Sequence, residues 1–199
     1  MDKKFEIHKK LTGKRISKTL LSEQALYWGF IDMPKDWHID PSELIKNITM
    51  SSYYQDVKFK YDKVYERLKT YITDFMRIEH YHDLFPANQE NNIFGNYYER
   101  NEVSKIQYHI NDMDLAHACD FVCLYGVEID GETCEVDIYY DNNRRAGRSW
   151  TIPLETNKFL IFPSSLKYQI RNVNNKYLNF VQTILFEYPA ADGGGYNGQ

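Results

Sequence analysis

Apolar residues recur with a helical period in one stretch of the amino-terminal half. Over residues 62–78 they recur at steps of three and four, with charged residues such as Lys63, Glu66 and Asp74 between them. The apolar members of this series are Val64, Leu68, Ile72, Phe75 and Met76. This spacing places them on one side of a helix, so we predict a helix over 62–78 with one buried face.

A second, shorter helix is predicted to begin at Asp40 and Pro41. An aspartate side chain can cap the amide groups of a first helical turn, and proline suits the first helical position because its missing N–H would have no partner there. The apolar residues Leu44 and Ile45 follow. The two helices together predict a helical amino-terminal region.

Beyond a polar stretch at residues 87–92 the period changes from helical to alternating, which is typical of half-buried strands. The predicted strands cover residues 105–110, 121–129, 134–140, 149–152, 159–162, 168–173 and 180–188. Short strands between turn signals such as Asp130 and Gly131 favour an antiparallel barrel of two sheets over 105–188. The buried positions are expected to include Val122, Leu124, Leu160, Phe162, Ile184 and Phe186.

We therefore predict an α+β fold, mainly β, in four parts. A basic arm over residues 1–20 carries seven Lys or Arg residues and precedes a helical region at 21–100 that packs on the barrel. The barrel covers 101–189, and a Gly-rich tail at 190–199 cannot build a core. Burying the arm on its own domain would gain little apolar contact for the entropy lost. Arm and tail are therefore predicted to contact other protein subunits, in an oligomer or a larger assembly.

The charge balance narrows the classes of partner. The formal net charge is −4, so no overall basic field attracts nucleic acid. No apolar run approaches the roughly 18 residues that a membrane helix needs, and the first residues lack the apolar stretch of a signal peptide. We expect a protein without a membrane span that is not secreted.

Cys119, Cys123 and Cys134 lack CxxC spacing, which favours reduced thiols over disulfides or a zinc site.

Two landmarks in the barrel region carry a family resemblance. The segment FPSSLKYQI at residues 162–170 follows an apolar segment KFLI at 158–161, and His117 precedes Gly126 of the segment LYGV by nine residues. In this order and spacing they resemble the phage and bacterial branch of the iron- and 2-oxoglutarate-dependent oxygenases. The resemblance implies a double-stranded β-helix, also called a jelly-roll barrel.

The same resemblance implies a metal site that this chain retains only in part. The family holds Fe(II) with two histidines and one carboxylate, and grips 2-oxoglutarate with an arginine on the last strand. By the resemblance His117 is the first ligand, Cys119 stands at the second position with Asp120 one residue later, and Tyr168 stands where the distal histidine belongs. The last strand, 180–186, contains no cation. We therefore expect a degenerate site with no catalytic residue and no bound Fe(II) or 2-oxoglutarate.

An alternative assignment of the same motif shifts the ligands toward the amino terminus. In it, His109 with Asn111 or Asp112 supplies the iron ligands and Arg171 grips the acid. In an active oxygenase, with Fe(II) and 2-oxoglutarate as cofactors, the ligands would be one of two pairs: His117 and Asp120, or His109 and Asp112.

One concentrated basic motif lies within the barrel region, between two predicted strands. It consists of Arg144, Arg145, Arg148 and Trp150. Arginine forks beside a tryptophan can clamp phosphate or carboxylate, or anchor a protein interface. The alternative is a solvated hairpin loop whose arginines pair with Asp137 and Asp141.

These observations leave three function hypotheses. The sequence also resembles proteins of large tailed phages of the marine T4-like type, so the leading hypothesis is a non-enzymatic virion component of the neck, tail or capsid, located in the virion or the host cytoplasm. The rival is an active Fe(II)/2-oxoglutarate-dependent dioxygenase. The third is a cupin-like binder of a sugar or another small ligand, with Tyr125, Tyr139 and Trp150 as stacking surfaces inside the barrel.

Overall fold

The fold is taken from a computed structural model. It describes residues 24–36, 38–54, 56–59, 63–78, 85–86, 92–110, 118–143, 145–173 and 176–187. The predicted arm at 1–20 and tail at 190–199 lie outside these residues, so their boundaries and contacts remain predictions. The described residues form the helices α1 (Pro41–Tyr53) and α2 (Lys63–Ile78) and the strands β1 (Tyr27–Phe30), β2 (Phe85–Pro86), β3 (Ile93–Tyr98), β4 (Phe121–Glu128), β5 (Cys134–Asn143), β6 (Ala146–Leu154), β7 (Lys158–Pro163), β8 (Lys167–Asn172) and β9 (Asn179–Glu187).

Both helices begin where the sequence predicts. The Asp40 carboxylate accepts hydrogen bonds from the backbone N–H groups of Ser42 at 3.0 Å and Glu43 at 3.4 Å, which caps α1. The predicted helix over 62–78 corresponds to α2, with Val64 and Leu68 fully buried. The side chains of Ile72, Phe75 and Met76 lie outside the described part of the chain. None of the described helices is long and apolar enough to cross a membrane.

The strands form two antiparallel sheets. The large sheet has six strands in the order β1-β7-β4-β9-β2, and β3 also pairs with β9. The small sheet has the order β6-β5-β8. Isolated bridges join Val103 to Arg171 and Gln107 to Tyr168, so residues 103–107 run as an irregular strand along the edge of β8 that does not pair with β5. The expected arrangement of two antiparallel sheets over 105–188 is confirmed.

The predicted strand 105–110 is reduced to these bridges for a local reason. The Ile170 N–H is bound at 2.9 Å by the side-chain oxygen of Ser104 instead of by a backbone carbonyl. Because a side chain replaces one rung of the ladder, regular pairing is interrupted at that point. The segment still holds its place beside β8 through mutual backbone bonds between Gln107 and Tyr168, at 2.7 and 3.1 Å.

The large sheet separates two hydrophobic cores. On its outer face, strand residues such as Cys123 and Ile161 pack against Leu44, Ile48 and Leu68 of the helices. On its inner face, strand residues pack against the small sheet. All of the predicted buried positions are buried, with Val122, Leu124, Leu160 and Phe162 facing the small sheet and Ile184 and Phe186 facing the helices.

Gly126, in the segment LYGV, is required by a close backbone approach. A Cβ at this position would lie 2.1 Å from the carbonyl oxygen of Glu155, and the Gly126 carbonyl accepts a hydrogen bond from the Asn157 N–H at 2.7 Å. The β6–β7 turn therefore crosses directly over this glycine, and any side chain would push it away.

The amino-terminal region of 21–100, predicted helical, contains α1, α2 and three strands. Strands β1, β2 and β3 join the large sheet, which also contains β4, β7 and β9. Strands from both sides of residue 100 thus share one sheet, and the predicted division of the chain at that point stays a prediction.

Candidate functional site

Tyr168 lies at the centre of the space between the two sheets. Side chains alternate across a strand, so Tyr168 and Ile170 of β8 point inward, where both are fully buried. The edge of one ring meets the face of the other where Tyr168 contacts Phe162 of β7, with ring centroids 5.3 Å apart. The residue that stands at the distal ligand position by resemblance therefore lies inside the barrel.

The Tyr168 hydroxyl joins two side chains of the preceding irregular strand. It donates a hydrogen bond to the Gln107 amide oxygen at 2.8 Å, and it lies 2.9 Å from Nε2 of His109. The hydroxyl has one proton, which goes to an oxygen that can only accept. The His109 Nε2 must therefore carry a proton and donate it to the phenol oxygen. We call Gln107, His109 and Tyr168 the inner polar cluster.

Burial keeps the inner polar cluster neutral. Desolvation raises the pKa of the Tyr168 phenol well above its usual value, and a hydrogen bond with Thr183 of β9 offsets only part of this rise. Desolvation also lowers the pKa of His109, whose ring packs between Phe94 and Tyr168 with centroids at 6.2 and 5.7 Å. Near pH 7 the cluster is a chain of neutral hydrogen bonds.

Cys119, at the predicted second ligand position, is held as a structural thiol. It is buried, and its Sγ donates to the His109 carbonyl at 3.6 Å, while its own carbonyl accepts a hydrogen bond from the Ser164 hydroxyl. Burial raises the pKa of the Cys119 thiol, which disfavours the thiolate needed by a nucleophile or metal ligand. As predicted, none of the three cysteines forms a disulfide.

The structure describes two of the four ligands predicted for an active oxygenase. His117 and Asp112 lie outside the described residues. Asp120 lies at the start of β4, where its backbone pairs with Phe186 at 2.7 Å and Ser164 at 2.9 Å. Of the two described ligands, Asp120 and His109, it is His109 that lies beside Tyr168. His109, a ligand in the alternative assignment, therefore lies next to Tyr168, the residue that the resemblance places at the distal ligand position.

The described residues do not fit an Fe(II) centre at this position. No group of three or more His, Cys, Asp or Glu side chains within the described ranges is placed to hold a metal ion. The His109 nitrogen that would face a metal is committed to the phenol, and a buried neutral phenol is a poor ligand. On β9, the buried Thr183 meets the cluster through a hydrogen bond with the Tyr168 phenol.

The alternative assignment of Arg171 as the grip for 2-oxoglutarate is wrong. Tyr168 and Ile170 point inward, so the alternation turns Arg171 to the outer face of the small sheet. There its guanidinium lies 2.7 Å from both Glu135 and Asp137. Burial alone would raise the pKa of Asp137, but hydrogen bonds from Thr151, Arg171 and Gln169 outweigh it and lower the pKa.

The basic motif lies between two strands, as predicted, at the tip of the β5–β6 hairpin. Arg144 lies outside the described residues, and β6 already begins at Ala146 because the strand pairing continues to the turn. Arg148 and Trp150 lie opposite Tyr140 and Ile138, so both belong to the inward-facing row of β6. The predicted acidic partners are used elsewhere: Asp137 binds Arg171, and Asp141 binds Lys167 at 3.1 Å.

Trp150 forms one wall of an open cleft between the sheets. The cleft has a volume of about 370 Å³ and is lined by Gln24, Ala25, Leu26, Ile138, Trp150, Thr151, Ile152, Phe162 and Leu166. Apolar lining and this volume are usual for small-molecule and peptide sites. Phe162 separates the cleft from Tyr168, because its ring lies against both.

The other two stacking residues of the cupin-like hypothesis lie elsewhere. Tyr125 packs in the helix-side core, and its hydroxyl donates to the Asn157 amide oxygen at 3.1 Å. Tyr139 lies on β5 between the inward-facing Ile138 and Tyr140, which turns it to the outer face of the small sheet. Of the three predicted stacking residues, only Trp150 lines the cleft.

Comparison with solved structures gives the class of fold. The chain is similar to a prolyl-4-hydroxylase from Pseudomonas putida, with a TM-score of 0.54 and 7% sequence identity over 83% of this chain and 94% of that one. It is also similar to an oxidoreductase of the 2OG-Fe(II) oxygenase family from Burkholderia pseudomallei, with a TM-score of 0.44 and 7% identity over 57% of this chain. The match spans about half, 48%, of the Burkholderia protein.

The similarity to the Pseudomonas protein defines an oxygenase-like fold of two antiparallel sheets, as the resemblance implies. No protein-family model matches the sequence, and no curated protein matches it. At 7% identity the shared property is the fold alone, so the chemistry of this chain has to be argued from its own residues.

Proposed function

We propose that this protein is a non-enzymatic interaction protein built on an oxygenase-like barrel. The observation that carries the proposal is the hydrogen bond between Tyr168 and His109 at 2.9 Å, extended to Gln107 at 2.8 Å. These contacts close the place between the sheets that the resemblance assigns to a metal ligand. The barrel is then a scaffold, and its function lies on its surface.

Three physical features support the loss of metal chemistry. His109 donates its Nε2 proton to the phenol, so a metal ion would have to displace a buried hydrogen bond. The raised pKa of Tyr168 disfavours the phenolate form that could replace a histidine ligand. Thr183 meets the cluster from β9, and a neutral hydroxyl offers no bidentate grip for a carboxylate.

We extend the proposal to an assembly. The phage-like sequence features, together with exposed Arg145, Arg148 and Trp150 at one hairpin, support a role as a virion component that binds other protein subunits. Mass spectrometry of purified virions from the source phage would test this part. If the protein is absent from the particle, the virion role is wrong. The interaction role would then be tested by the peptide-binding experiment described in the next subsection.

Calorimetry with Fe(II) under anaerobic conditions, with and without 2-oxoglutarate, tests the non-enzymatic proposal. We expect no saturable heat for either ligand and no release of succinate in air. The matched control is Tyr168→His, which restores the ligand type that the resemblance places there and is expected to bind Fe(II) more tightly than the native chain. Micromolar binding of both ligands by the native chain, or turnover of 2-oxoglutarate, would overturn the proposal.

A further inference from the structure

Among the described residues, one side of the barrel lies open between two strand edges. In the described part of the chain, β1 pairs only with β7 and β6 pairs only with β5. The opposite side is joined by Asn172 of β8, whose side-chain amide donates to the Tyr98 carbonyl of β3 at 2.9 Å. The two remaining edges meet at the cleft, which residues preceding β1 and residues of β6 line together. We call this open side the seam.

The outer edge of β1 pairs with no other strand in the described part of the chain. The Ile31 N–H donates to the Asn157 carbonyl at 3.1 Å, which directs the backbone groups of Ile31 toward β7. In antiparallel pairs these groups alternate in direction. The backbone groups of Tyr27 and Gly29 therefore also face β7, and those of Trp28 and Phe30 face outward from the sheet edge.

The same residues expose large apolar side chains along the seam. Trp28 lies opposite Leu160, a residue of the inner core, so its side chain is on the inner face of the large sheet. It is 61% exposed, Phe30 is 48% exposed, and Trp150 across the seam is 43% exposed. Large apolar side chains exposed on both edges of one opening mark interaction sites more often than isolated ones do.

A buried lysine fixes the two rings of β1. The Lys158 ammonium lies 5.6 Å from the Trp28 ring centroid and 5.9 Å from that of Phe30, and it pairs with Glu155 at 2.8 Å. Lys158 is only 7% exposed. Rings held in place lose little side-chain entropy on binding, which favours their use as anchors.

The charge at one end of the seam indicates the chemistry of the partner. Arg148 precedes Trp150 by two positions in the inward-facing row of β6, and Arg145 lies at the hairpin tip; both are exposed. These cations lie in a chain whose formal net charge is −4. An acidic group of a partner would therefore be attracted to this end of the seam.

We infer that the seam binds an extended segment of a partner protein, which adds to β1 as a strand. Its apolar side chains, at alternate positions, enter the cleft beside Trp150 and Phe162, and an acidic residue faces Arg148. Stacked sheets lie about 10 Å apart, whereas a helix with side chains is about 10–12 Å wide, so a strand fits the gap better and also uses the open backbone of β1. This inference rests on the proposed interaction function and names the chemistry of the partner.

A displayed library of random nine-residue peptides, the length of β6, tests the inference on the full chain. We expect enriched peptides with apolar residues at alternate positions and an acidic residue near one end. Trp28→Ser and Trp150→Ser should each weaken their binding about tenfold or more, as loss of an anchor does. Tyr177→Ser, which changes an aromatic residue that is 58% exposed elsewhere, should not.

Two further readouts define the binding mode. Arg148→Glu should weaken the binding of the acidic peptides. Peptides whose acidic residue is replaced by lysine should bind this variant again. In the native chain, peptide binding should slow hydrogen exchange at the amides of Trp28 and Phe30. This second readout needs no variant, so it holds even where a tryptophan variant fails to fold.

Several results would overturn the inference. Failure to enrich peptides, or enrichment unaffected by both tryptophan substitutions, would remove the seam as a peptide site. Dimerisation in sedimentation that Trp28→Ser abolishes would assign the seam to a second copy. Enrichment that appears only after Ile16→Asp and Leu20→Asp would assign it to the chain's own arm. If iron and 2-oxoglutarate do not bind, any of these results leaves the non-enzymatic proposal standing.

Discussion

The two faces of the large sheet bury neighbouring residues of the same strands in different surroundings. The outer face packs against α1 and α2 in a core of apolar side chains. The inner face shares the space between the sheets with the inner polar cluster of Gln107, His109 and Tyr168. The first core is mainly a packing of apolar side chains against the helices, whereas the second also encloses this chain of hydrogen-bonded polar groups.

The two faces therefore differ in how their buried groups are stabilised. Burying polar groups costs free energy unless each is hydrogen-bonded. In the inner polar cluster the Tyr168 hydroxyl bonds both Gln107 and His109, which offsets the cost of burying these groups.

Truncation of one core residue from each face is expected to have the largest effect. Leu160 and Ile161 are consecutive on β7, face the small sheet and the helices respectively, and are both buried. Leu160→Ala and Ile161→Ala should each lower the free energy of unfolding by about 2–5 kcal/mol. Chemical denaturation measures both. A loss below about 1 kcal/mol in either variant would show that its face is not a packed core.

Gly126→Ala is expected to have the next largest effect. Its Cβ would lie 2.1 Å from the Glu155 carbonyl oxygen, a backbone atom, so the β6–β7 turn has to move. We expect a loss of about 1–3 kcal/mol in the free energy of unfolding. Gly131→Asn is the control, because Gly131 has open space around its Cβ position, and asparagine tolerates its positive φ of 63°. Equal losses in the two variants would contradict the close approach.

Tyr168→Phe tests the inner polar cluster directly. Removing the hydroxyl leaves the Gln107 oxygen and the His109 N–H without that partner, so we expect a loss of about 1–3 kcal/mol. Tyr125→Phe on the helix side breaks one bond, to Asn157, and should cost less. Denaturation of both variants at pH 7.5 gives the comparison. A neutral Tyr168→Phe would mean that the cluster is not a closed chain of hydrogen bonds.

The smallest expected effect is a dependence of stability on pH. The pKa of His109 is lowered in the folded protein from its usual 6.5, so below that pH the unfolded chain binds more protons than the folded one. This contribution to stability is complete above about pH 6.5 and is lost as the pH falls toward the folded pKa. His109→Gln should flatten the decline between pH 7 and 5, measured by denaturation at each pH. An unchanged slope would contradict the buried, neutral His109.

The sequence could predict the elements that follow a local period. The helix at 62–78 and the alternating strands of the barrel were predicted because each pattern depends on residues a few positions apart. Strand β3 was not predicted because Gly95 and Asn96 interrupt the alternation of apolar and polar residues. A glycine is required at position 95 because a Cβ there would lie 2.3 Å from Ile48 of α1. That requirement comes from helix packing and has no local signal.

The candidate site depended on contacts that no local pattern contains. The Tyr168 position was found through the resemblance, but its partner His109 lies 59 residues earlier, and the alternative assignment had named it as a metal ligand. Gln107 was not predicted, although it lies two residues before His109 and so shares its face of a strand. The position of Trp28 at a sheet edge was not predicted, because alternation cannot distinguish an exposed sheet edge from a covered one.

The most direct test of the central claim is the protonation state of His109. Long-range proton–nitrogen correlation spectra of the protein, which has six histidines, report the tautomer of each ring. At pH 7.5 we predict that His109 carries its proton on Nε2, and that substoichiometric Mn(II) with 2-oxoglutarate leaves its signals sharp. Loss of the Nε2 proton, with Mn(II) broadening centred on His109 or His117 and reversed by a chelator, would contradict the account and show a working metal site.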